Sequence, residues 1–391
     1  MPEKKALMYG AGNIGRGFIG ESFARAGYEV VFVDVNMEIV GALNARRAYP
    51  VTYLDGRRGR SEYTVENVRA VDGRNLSAVA REIADCDIMA TAVGVNVLPH
   101  IAAALAGGIG LRASSGRPVD IIICENLLGA DEYLRGLIAG LLEGEARTYF
   151  AEKVGLVEAS IGRMVPIQTE EMQGGDNLRV CVEPYSELPV DGAAFRAPLP
   201  EIANLRPFTP FRFYIERKLF IHNMGHAAAA WIGAYAGCEQ IWQCMDDPVI
   251  ALAVYRAMVE AGVALSLEHG VEFAEVWRNI EDLVRRFSNR LLGDTCFRVG
   301  RDLRRKLSPS DRVIGALELC TKHGVACPHI ELAAAAALAF KDDMEPVGEA
   351  RAFLRENARL SPGSESYGRI TELYGRFERG EKLAEIIKGV E

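Results

Sequence analysis

The chain has 391 residues, of which 49% are hydrophobic and 25% are charged, and its formal net charge at pH 7 is −8. This length suits two or three domains with a substantial core, and the composition is that of an ordinary globular protein. The excess of acidic residues argues against a protein that coats nucleic acid, so we expect no nucleic-acid partner.

The apolar runs and the cysteines predict a cytoplasmic protein without a membrane partner. The longest apolar runs are interrupted well short of a membrane span, and the first residues lack the pattern of a signal peptide. The eight cysteines are scattered without a Cys-x-x-Cys pair, which predicts reduced core thiols, with a catalytic thiol as the alternative. The histidines and cysteines show no metal-ligand spacing, so we expect no metal.

A glycine-rich turn follows the first predicted strand. Residues 4–12 indicate a short buried strand that runs into Gly10-Ala-Gly12-Asn-Ile-Gly15, after which a helix continues to about Ala26. A second predicted strand, 28–34, ends at Asp34. This order of strand, glycines, helix and acid-ended strand is typical of dinucleotide-binding domains. A glycine turn with a structural role only is the alternative.

The positions of the turn have distinct predicted roles. Gly10 permits the tight turn, Gly12 lets the backbone approach a pyrophosphate, and Gly15 lets helix and strand pack closely. The N–H groups at the helix N-terminus would face the phosphates. Asp34 would accept hydrogen bonds from the adenosine ribose and repel a 2′-phosphate, which favours NAD over NADP.

Two further predicted strands, 87–93 and 119–124, end in Gly94 and in Glu125-Asn126, and helices are predicted at 97–106 and 131–143. Ligands of doubly wound sheets lie beyond the carboxyl ends of the strands, which places Asn126 at the mouth of the crevice. The alternative for Asn126 is an N-cap of the following helix. The predicted NAD contacts are Gly10, Gly12, Asn13, Ile14, Gly15, Asp34, Gly94 and Asn126.

The pattern changes in the second half of the chain. Strand-like runs at 154–160 and 178–184 precede a proline-rich segment, and from about Tyr214 onward the strand pattern stops. We therefore predict an NAD-binding domain of residues 1–204 and a helical domain of residues 205–391. The fold class is an α/β Rossmann-type N-terminal domain followed by a mainly α-helical C-terminal domain. Helices are predicted at 248–269, 272–292, 327–341 and 347–358, with one or two more before the C-terminus.

Lys218, Asn223 and His226 lie in a predicted helix that is otherwise apolar and Ala-rich. At about 100° per residue, His226 lies about 80° and Asn223 about 140° from Lys218, with His222 inside the same arc. Polar side chains are costly to bury without partners, so the pattern indicates a site in which a lysine accepts a proton while an amide steadies an oxygen. The alternative is a lysine that reaches solvent beside a hydrogen-bonded Asn/His pair.

A strongly basic segment follows. Six cations lie between Arg298 and Arg312 in a chain of negative net charge. Arginine forks suit a phosphate group. The alternative is a solvated segment paired with nearby acids, or a segment whose cations are divided between substrate and water.

Taken together, these motifs resemble the polyol-specific long-chain dehydrogenases, the mannitol dehydrogenase family. The resemblance covers most of the chain and implies a Rossmann-type domain, a helical domain and a metal-independent active site between them. It rests on Gly10–Gly20, Asp34-Val-Asn, Thr91-Ala-Val-Gly94, Cys124-Glu-Asn126, Glu216-Arg-Lys218-Leu-Phe with Asn223, Gly225 and His226, Asp294-Thr, Arg298-Val-Gly-Arg301, Arg305-Lys306-Leu and Asp311-Arg312.

The resemblance also implies roles for individual residues. Lys218 falls on the family's catalytic lysine, and His226 on its substrate-binding histidine. Asn126 and Asn223 fall on its two oxyanion-binding asparagines. The predicted substrate-binding cations are Arg163, Arg301, Arg305 and Lys306.

The implied reaction is the reversible NAD-dependent oxidation of a sugar-alcohol phosphate to a ketose phosphate, mannitol 1-phosphate to fructose 6-phosphate, by a monomeric enzyme. A lysine base needs a pKa below its usual value of about 10.4, and burial and the positive nicotinamide ring both act in that direction. One departure concerns the substrate: Gly162 stands where the family commonly has an aspartate. The alternatives are a free polyol or a sugar acid such as fructuronate or tagaturonate, and a non-catalytic NAD sensor.

Overall fold

The computed structural model describes residues 4–309, 311–341 and 349–390. The chain divides into two compact units, Met1–Arg212 and Phe213–Glu391. The predicted boundary at residues 204 and 205 lies a few residues before this division.

The first unit contains every strand found among the described residues. They are β1 Lys5–Tyr9, β2 Glu29–Asp34, β3 Ala48–Asp55, β4 Gly59–Glu66, β5 Val68–Asp72, β6 Ile88–Thr91, β7 Val119–Ile123, β8 Val154–Glu158, β9 Val180–Val182, β10 Leu188–Asp191 and β11 Leu205–Phe208. Six of them form one sheet in the order β5-β2-β1-β6-β7-β8, and all neighbours are parallel. This is the doubly wound order, in which the strand sequence reverses direction between β1 and β6.

Helices cover both faces of this sheet, as the burial of its strands requires. Alternate residues of a strand point to opposite faces, so Met8 belongs to one buried cluster and Leu7 to the other. The helices of the unit are α1 Glu21–Arg25, α2 Met37–Arg46, α3 Leu76–Asp85, α4 Leu98–Ala113, α5 Ala130–Ala139, α6 Gly144–Lys153 and α7 Glu170–Gln173, with a π-turn at Gly15–Gly20 and a 3-10 turn at Val95–Val97.

Between residues 35 and 86, where the sequence pattern predicted no elements, the structure has α2, β3, β4, β5 and α3. Strands β3 and β4 form an antiparallel hairpin that β9 extends to three strands. Pro50 lies in β3, the central strand of this small sheet, where proline argues against a strand. Strand β4 is mostly exposed, so it lacks the buried pattern that identifies a core strand.

The second unit is helical, and the Rossmann-type and helical fold class is confirmed. A helix at Pro248–His269 begins at an Asp247 N-cap and ends at Gly270 in the left-handed conformation, as predicted from the Asp-Pro and His-Gly signals. Residues 347 and 348 of one predicted helix lie outside the described residues. The helices are α8 Arg212–Arg217, α9 Met224–Tyr235, α10 Ile241–Asp246, α11 Pro248–His269, α12 Phe273–Phe287, α13 Cys296–Gly300, α14 Leu303–Lys306, α15 Ile314–Lys322, α16 Pro328–Ala339, α17 Ala350–Glu356, α18 Glu365–Glu378 and α19 Leu383–Lys388, with a π-turn at Lys218–Asn223 and a 3-10 turn at Arg290–Leu292.

Two helical segments are long and apolar, and one of them, predicted at residues 97–106, extends over Val95–Ala113. Val95–Ala113 and Pro248–His269 have 19 and 22 residues with mean hydropathies of 1.2 and 1.6. Their length and composition alone would allow a membrane span, so the prediction that all apolar runs are too short is wrong. Half of each apolar window is buried inside the protein, as in a core helix.

One buried arginine links the ends of neighbouring secondary-structure elements in the first unit. Arg112 is 2% exposed, and its guanidinium donates hydrogen bonds to backbone carbonyls in the last turn of α3, just after α3 and just before β7. The acceptors are the oxygens of Ile83, Ala84, Cys86, Arg117 and Pro118. Buried carbonyls without donors destabilise a fold. The Arg112 side chain therefore has a structural role, which the sequence alone does not indicate.

We expect Arg112→Met to destabilise the first unit by about 3 kcal/mol or more, because the apolar replacement leaves buried carbonyls without donors. The measurement is urea unfolding followed by far-ultraviolet circular dichroism. Arg81→Met, at an exposed position of α3, is the matched control and should leave the midpoint almost unchanged. Equal midpoints for the two variants would contradict this structural role.

Candidate active site

The glycine turn after β1 has the geometry that its predicted role requires. Gly10 has φ +102°, and a Cβ there would lie 2.6 Å from the Ala92 carbonyl oxygen. A Cβ at Gly15 would collide with the Gly10 carbonyl. At Gly12, by contrast, an added Cβ has no neighbour within 4 Å. The turn is therefore closed against the sheet at Gly10 and Gly15 and open at Gly12, which fits the approach of a pyrophosphate.

Helical structure begins at Asn13, directly after the open glycine, and Ile14 continues it. The first backbone N–H groups of a helix have no intrahelical acceptor, and they favour an anion. Arg16 holds this turn in place, since its buried guanidinium donates to the carbonyl oxygens of Ala11 at 2.7 Å and Leu178 at 2.6 Å.

Asp34 connects the second strand to the glycine turn. Its Oδ2 accepts a hydrogen bond from the Ala11 backbone N–H at 2.7 Å, and its Oδ1 accepts one from the Asn36 N–H at 2.9 Å. A carboxylate has about four acceptor positions, so these bonds orient Asp34 and leave acceptor capacity for ribose hydroxyls. The residues present therefore fit a dinucleotide.

A buried glutamate fixes the carboxyl ends of β6 and β7. Glu125 Oε2 accepts from the Thr91 hydroxyl at 2.7 Å, and Oε1 accepts from the Val93 backbone N–H at 2.9 Å. Gly94, with φ +91°, and the exposed Asn126 follow these strands. Asn126 is not the N-cap of α5, because that position belongs to Gly129.

The lysine segment of the second unit is not a regular α-helix. Lys218–Asn223 forms a π-turn, and the Met224 backbone N–H donates to the carbonyl of Leu219, five residues earlier. In such a turn residues five apart occupy successive turns, as residues four apart do in an α-helix. The predicted separation of about 140° between Lys218 and Asn223 is therefore wrong, because the π-turn brings the two residues onto one face.

His226 lies one turn further along, in α9, with its ring fixed from two sides. The imidazole stacks on Phe287 with centroids 4.9 Å apart and an interplanar angle of 13°. Its Nε2 is 3.5 Å from Asp294 Oδ2. The ring of His222 is 6.3 Å from that of His226.

Both imidazoles are held neutral. Burial lowers the pKa of His226 to about 4, with Asp294 acting against this and Arg298, Arg312 and Lys306 adding to it. Burial also lowers the pKa of His222 well below the usual histidine value. At neutral pH the positive charge around His226 therefore comes from arginine and lysine.

The structure gives two of the four predicted substrate-binding cations another role. Arg163 is 5% exposed, and its Nη1 donates to the Gly17 carbonyl and to Glu21 Oε2, both at 2.8 Å. Lys306 is also buried, and its Nζ donates to the carbonyls of Val299, at 2.7 Å, and Arg301. Burial and the neighbouring Arg312 lower the pKa of Lys306 to about 7.

The other two predicted cations are more accessible. Arg301 is exposed, and Arg305 is about half-exposed beside Asp302 and Asp311, with its Nη1 3.5 Å from Asp311 Oδ2. These two guanidiniums can reach a ligand in solution without breaking buried contacts.

The position where the family commonly has an aspartate is closed by a ring. A Cβ at Gly162 would lie 3.0 Å from the Cε1 atom of Tyr185. The Tyr185 carbonyl in turn accepts a hydrogen bond from Arg163 Nε. A longer side chain at this position would therefore need Tyr185 to move.

Two carboxylates near the lysine segment have contacts that the sequence pattern did not predict. Asp294 contacts His226, and buried Glu216 places its Oε2 2.7 Å from His269 Nε2. The sequence separations are large, so local pattern gives no sign of either pair. The one available signal was that both acids lie within motifs of the family resemblance.

Comparison with known proteins identifies the family of both units. The model for the mannitol dehydrogenase Rossmann domain matches residues 4–204, and the model for the mannitol dehydrogenase C-terminal domain matches residues 211–358. A mannitol-1-phosphate 5-dehydrogenase of Brevibacillus brevis is 38% identical over 386 residues, covering 98% of this chain and 96% of the relative.

Solved structures support the fold. A D-sorbitol dehydrogenase in substrate-free form superposes with a TM-score of 0.79 at 13% identity, covering 98% of this chain and 95% of its own. Mannitol 2-dehydrogenase of Pseudomonas fluorescens, in a ternary complex with NAD and D-mannitol, gives a TM-score of 0.75 at 15% identity, covering 99% and 94%. The resemblance predicted from the motifs is confirmed, as are an oxidoreductase and NAD as its cofactor at the level of the family. The chain belongs to the mannitol dehydrogenase family.

Proposed function

We propose that this chain catalyses the reversible oxidation of mannitol 1-phosphate to fructose 6-phosphate with NAD. The observation that carries the proposal is the π-turn that presents Lys218 and Asn223 on one face of an apolar helix, one turn before His226. The identity to a curated mannitol-1-phosphate 5-dehydrogenase along almost the whole chain supports the choice of substrate.

In this mechanism Lys218 accepts the proton of the reacting hydroxyl. The amides of Asn126 and Asn223 donate hydrogen bonds to the same oxygen as it acquires negative charge. Such preorganised donors each contribute roughly 3 kcal/mol to stabilisation of the transition state. His226, neutral and stacked on Phe287, holds a substrate hydroxyl beside the lysine.

The first unit supplies the cofactor contacts. Gly12, Asn13 and Ile14 would present backbone N–H groups to the pyrophosphate, with Gly10 and Gly15 shaping the turn and Gly94 shortly after the end of β6. Asp34 would accept hydrogen bonds from the ribose. NAD held by these residues would supply the hydride-transfer chemistry of the reaction.

The phosphate of the substrate is assigned to Arg301 and Arg305. Guanidinium forks bind phosphate oxygens in pairs, and both side chains are accessible. We further propose that the protein is a monomeric cytoplasmic enzyme whose partner is a small-molecule substrate.

Lys218→Met should lower kcat by about a hundredfold to ten-thousandfold, because positioned proton transfer contributes that much. NADH binding, followed by fluorescence titration, should be nearly unchanged. Lys322→Met, at an exposed lysine paired with Glu268, is the control and should keep full activity. Retained turnover in Lys218→Met would remove the assignment of the base.

The substrate assignment is tested by following NADH absorbance with fructose 6-phosphate, fructose, fructuronate and tagaturonate. We expect fructose 6-phosphate to give the highest kcat/KM. Arg305→Ala should raise its KM roughly tenfold or more, because a charge-assisted hydrogen bond is lost, and should leave the KM of fructose unchanged. Arg304→Ala, whose guanidinium lies over the Phe353 ring, is the neighbouring control. Higher efficiency with an unphosphorylated substrate would reject the assignment.

Because the pKa of His226 is lowered in the folded protein, we expect the free energy of unfolding to depend on pH. Its folded-state pKa of about 4 lies below the unfolded value of about 6.5, so the unfolded chain binds more protons between these values. Stability is therefore lost as the pH falls through this window, by roughly 2 kcal/mol for His226 between pH 7 and pH 5.

Tryptophan fluorescence in urea measures this loss in the second unit, because Trp231, Trp242 and Trp277 all lie there. His226→Gln should flatten the decrease between pH 7 and pH 5. His100→Gln, exposed in the first unit, should leave it unchanged. An equally steep decrease of stability in His226→Gln would show that burial of this imidazole does not cause the pH dependence.

A further inference from the structure

Asp294 is fixed by several interactions before it meets His226. Its backbone carbonyl accepts a hydrogen bond from the Ile241 N–H at 2.9 Å, and the Cys296 N–H donates to the Glu239 carbonyl at 2.8 Å. The side chain of Asp294 is 10% exposed. The segment that carries the carboxylate is thus attached to the chain that precedes α10, and the carboxylate has little freedom to move.

The two oxygens of this carboxylate have different partners. Oδ1 forms an ion pair with Nη2 of Arg298, one helical turn later in the chain. Oδ2 faces Nε2 of His226 at 3.5 Å. Because Arg298 holds one oxygen, the other is directed at one edge of the imidazole.

Stacking on Phe287 does not determine which of two flipped orientations the His226 ring adopts. A rotation of the imidazole by about 180° about its Cβ–Cγ bond preserves the ring plane and therefore the stacking with Phe287. The same rotation replaces a nitrogen by a carbon at each edge of the ring. Only a polar group at the edge distinguishes the two orientations, and Asp294 is in that position.

The carboxylate also selects the tautomer. A neutral imidazole carries one proton, on either Nδ1 or Nε2, and an ionised carboxylate accepts hydrogen bonds only. The partner of a histidine ring nitrogen sets which nitrogen is protonated. Facing Asp294, Nε2 carries the hydrogen and Nδ1 becomes the acceptor.

We propose that Asp294 is a positioning residue that holds His226 as the Nε2–H tautomer, so that Nδ1 accepts a hydrogen bond from a substrate hydroxyl. This proposal rests on the proposed function only for the contact of His226 with substrate. Asp294 itself touches neither substrate nor cofactor in this arrangement; it acts through the imidazole.

The test is nitrogen NMR of the full-length protein with labelled histidine, because the ring nitrogens of the two tautomers give different correlation patterns. The chain has six histidines, and the signals missing in His226→Gln assign His226. We expect the Nε2–H tautomer in the wild-type protein and a mixture in Asp294→Asn, since an amide can accept from Nε2 or donate to it. An Nδ1–H tautomer in the wild type, or an unchanged tautomer in Asp294→Asn, overturns the proposal.

Kinetics give the second measurement. Asp294→Asn should lower kcat for fructose 6-phosphate by roughly tenfold to a hundredfold while the KM of NADH stays within about twofold, because only the substrate side is affected. Glu268→Gln is the matched control: it changes another His–carboxylate pair, with His323 at 2.6 Å, and should keep full activity. Equal losses in the two variants would contradict a specific role of Asp294.

The two proposals fail in different ways. If the wild-type tautomer is Nε2–H and changes in Asp294→Asn, but fructose 6-phosphate is not reduced, the positioning role stands and the proposed substrate is wrong. If fructose 6-phosphate is reduced and the tautomer does not depend on Asp294, the positioning role is wrong. The wild-type spectrum can contradict the proposal by itself, so the test does not depend on whether Asp294→Asn folds.

Discussion

The π-turn at Lys218–Asn223 is the constraint on which the second unit's candidate site depends. A π-turn is rare because it inserts one residue into the hydrogen-bonding ladder of a helix, and the surrounding fold has to compensate. Here the helix that follows is buried along Ala227–Ala230, and the Trp231 indole donates to the Gly300 carbonyl at 2.8 Å. These contacts hold α9 in place, so the lysine and amide face the same way although the local helix geometry is unfavourable.

The first unit also has a π-turn, next to the glycine turn that is predicted to bind the cofactor. A second π-turn within the described residues, Gly15–Gly20, follows the glycine turn and leads into α1. Gly20 is packed so closely that a Cβ would lie 2.6 Å from the Phe32 ring. In both units a helix departs from α geometry where functional groups were assigned. The two π-turns differ in what they affect: Lys218–Asn223 carries the candidate side chains themselves, whereas Gly15–Gly20 follows the backbone N–H groups of Asn13 and Ile14.

How far the sequence predicts this protein depends on how local each signal is. The glycine turn and the helix Pro248–His269 were predictable, because a few neighbouring residues determine a tight turn, an N-cap and a glycine stop. The hairpin of β3 and β4 was not, since β4 is mostly exposed and Pro50 argues against a strand. The π-turn could not be found from a pattern of about 100° per residue. Contacts between distant positions, such as Asp294 with His226, leave no local pattern.

Charge and burial together favour an anionic ligand near His226. Arg298, Arg312 and Lys306 all act on its pKa, yet Asp294 and Asp311 take part of the charge of the two arginines through ion pairs. Because the two imidazoles stay neutral, they add no positive charge and remain able to exchange hydrogen bonds with hydroxyls. In the proposed function these groups have separate roles: accessible guanidiniums would bind the charged group of the substrate, and the neutral imidazole would bind an alcohol hydroxyl. The proposed substrate, a sugar-alcohol phosphate, would present both groups on one molecule, whereas a free polyol would offer no anion to the exposed Arg301 and Arg305.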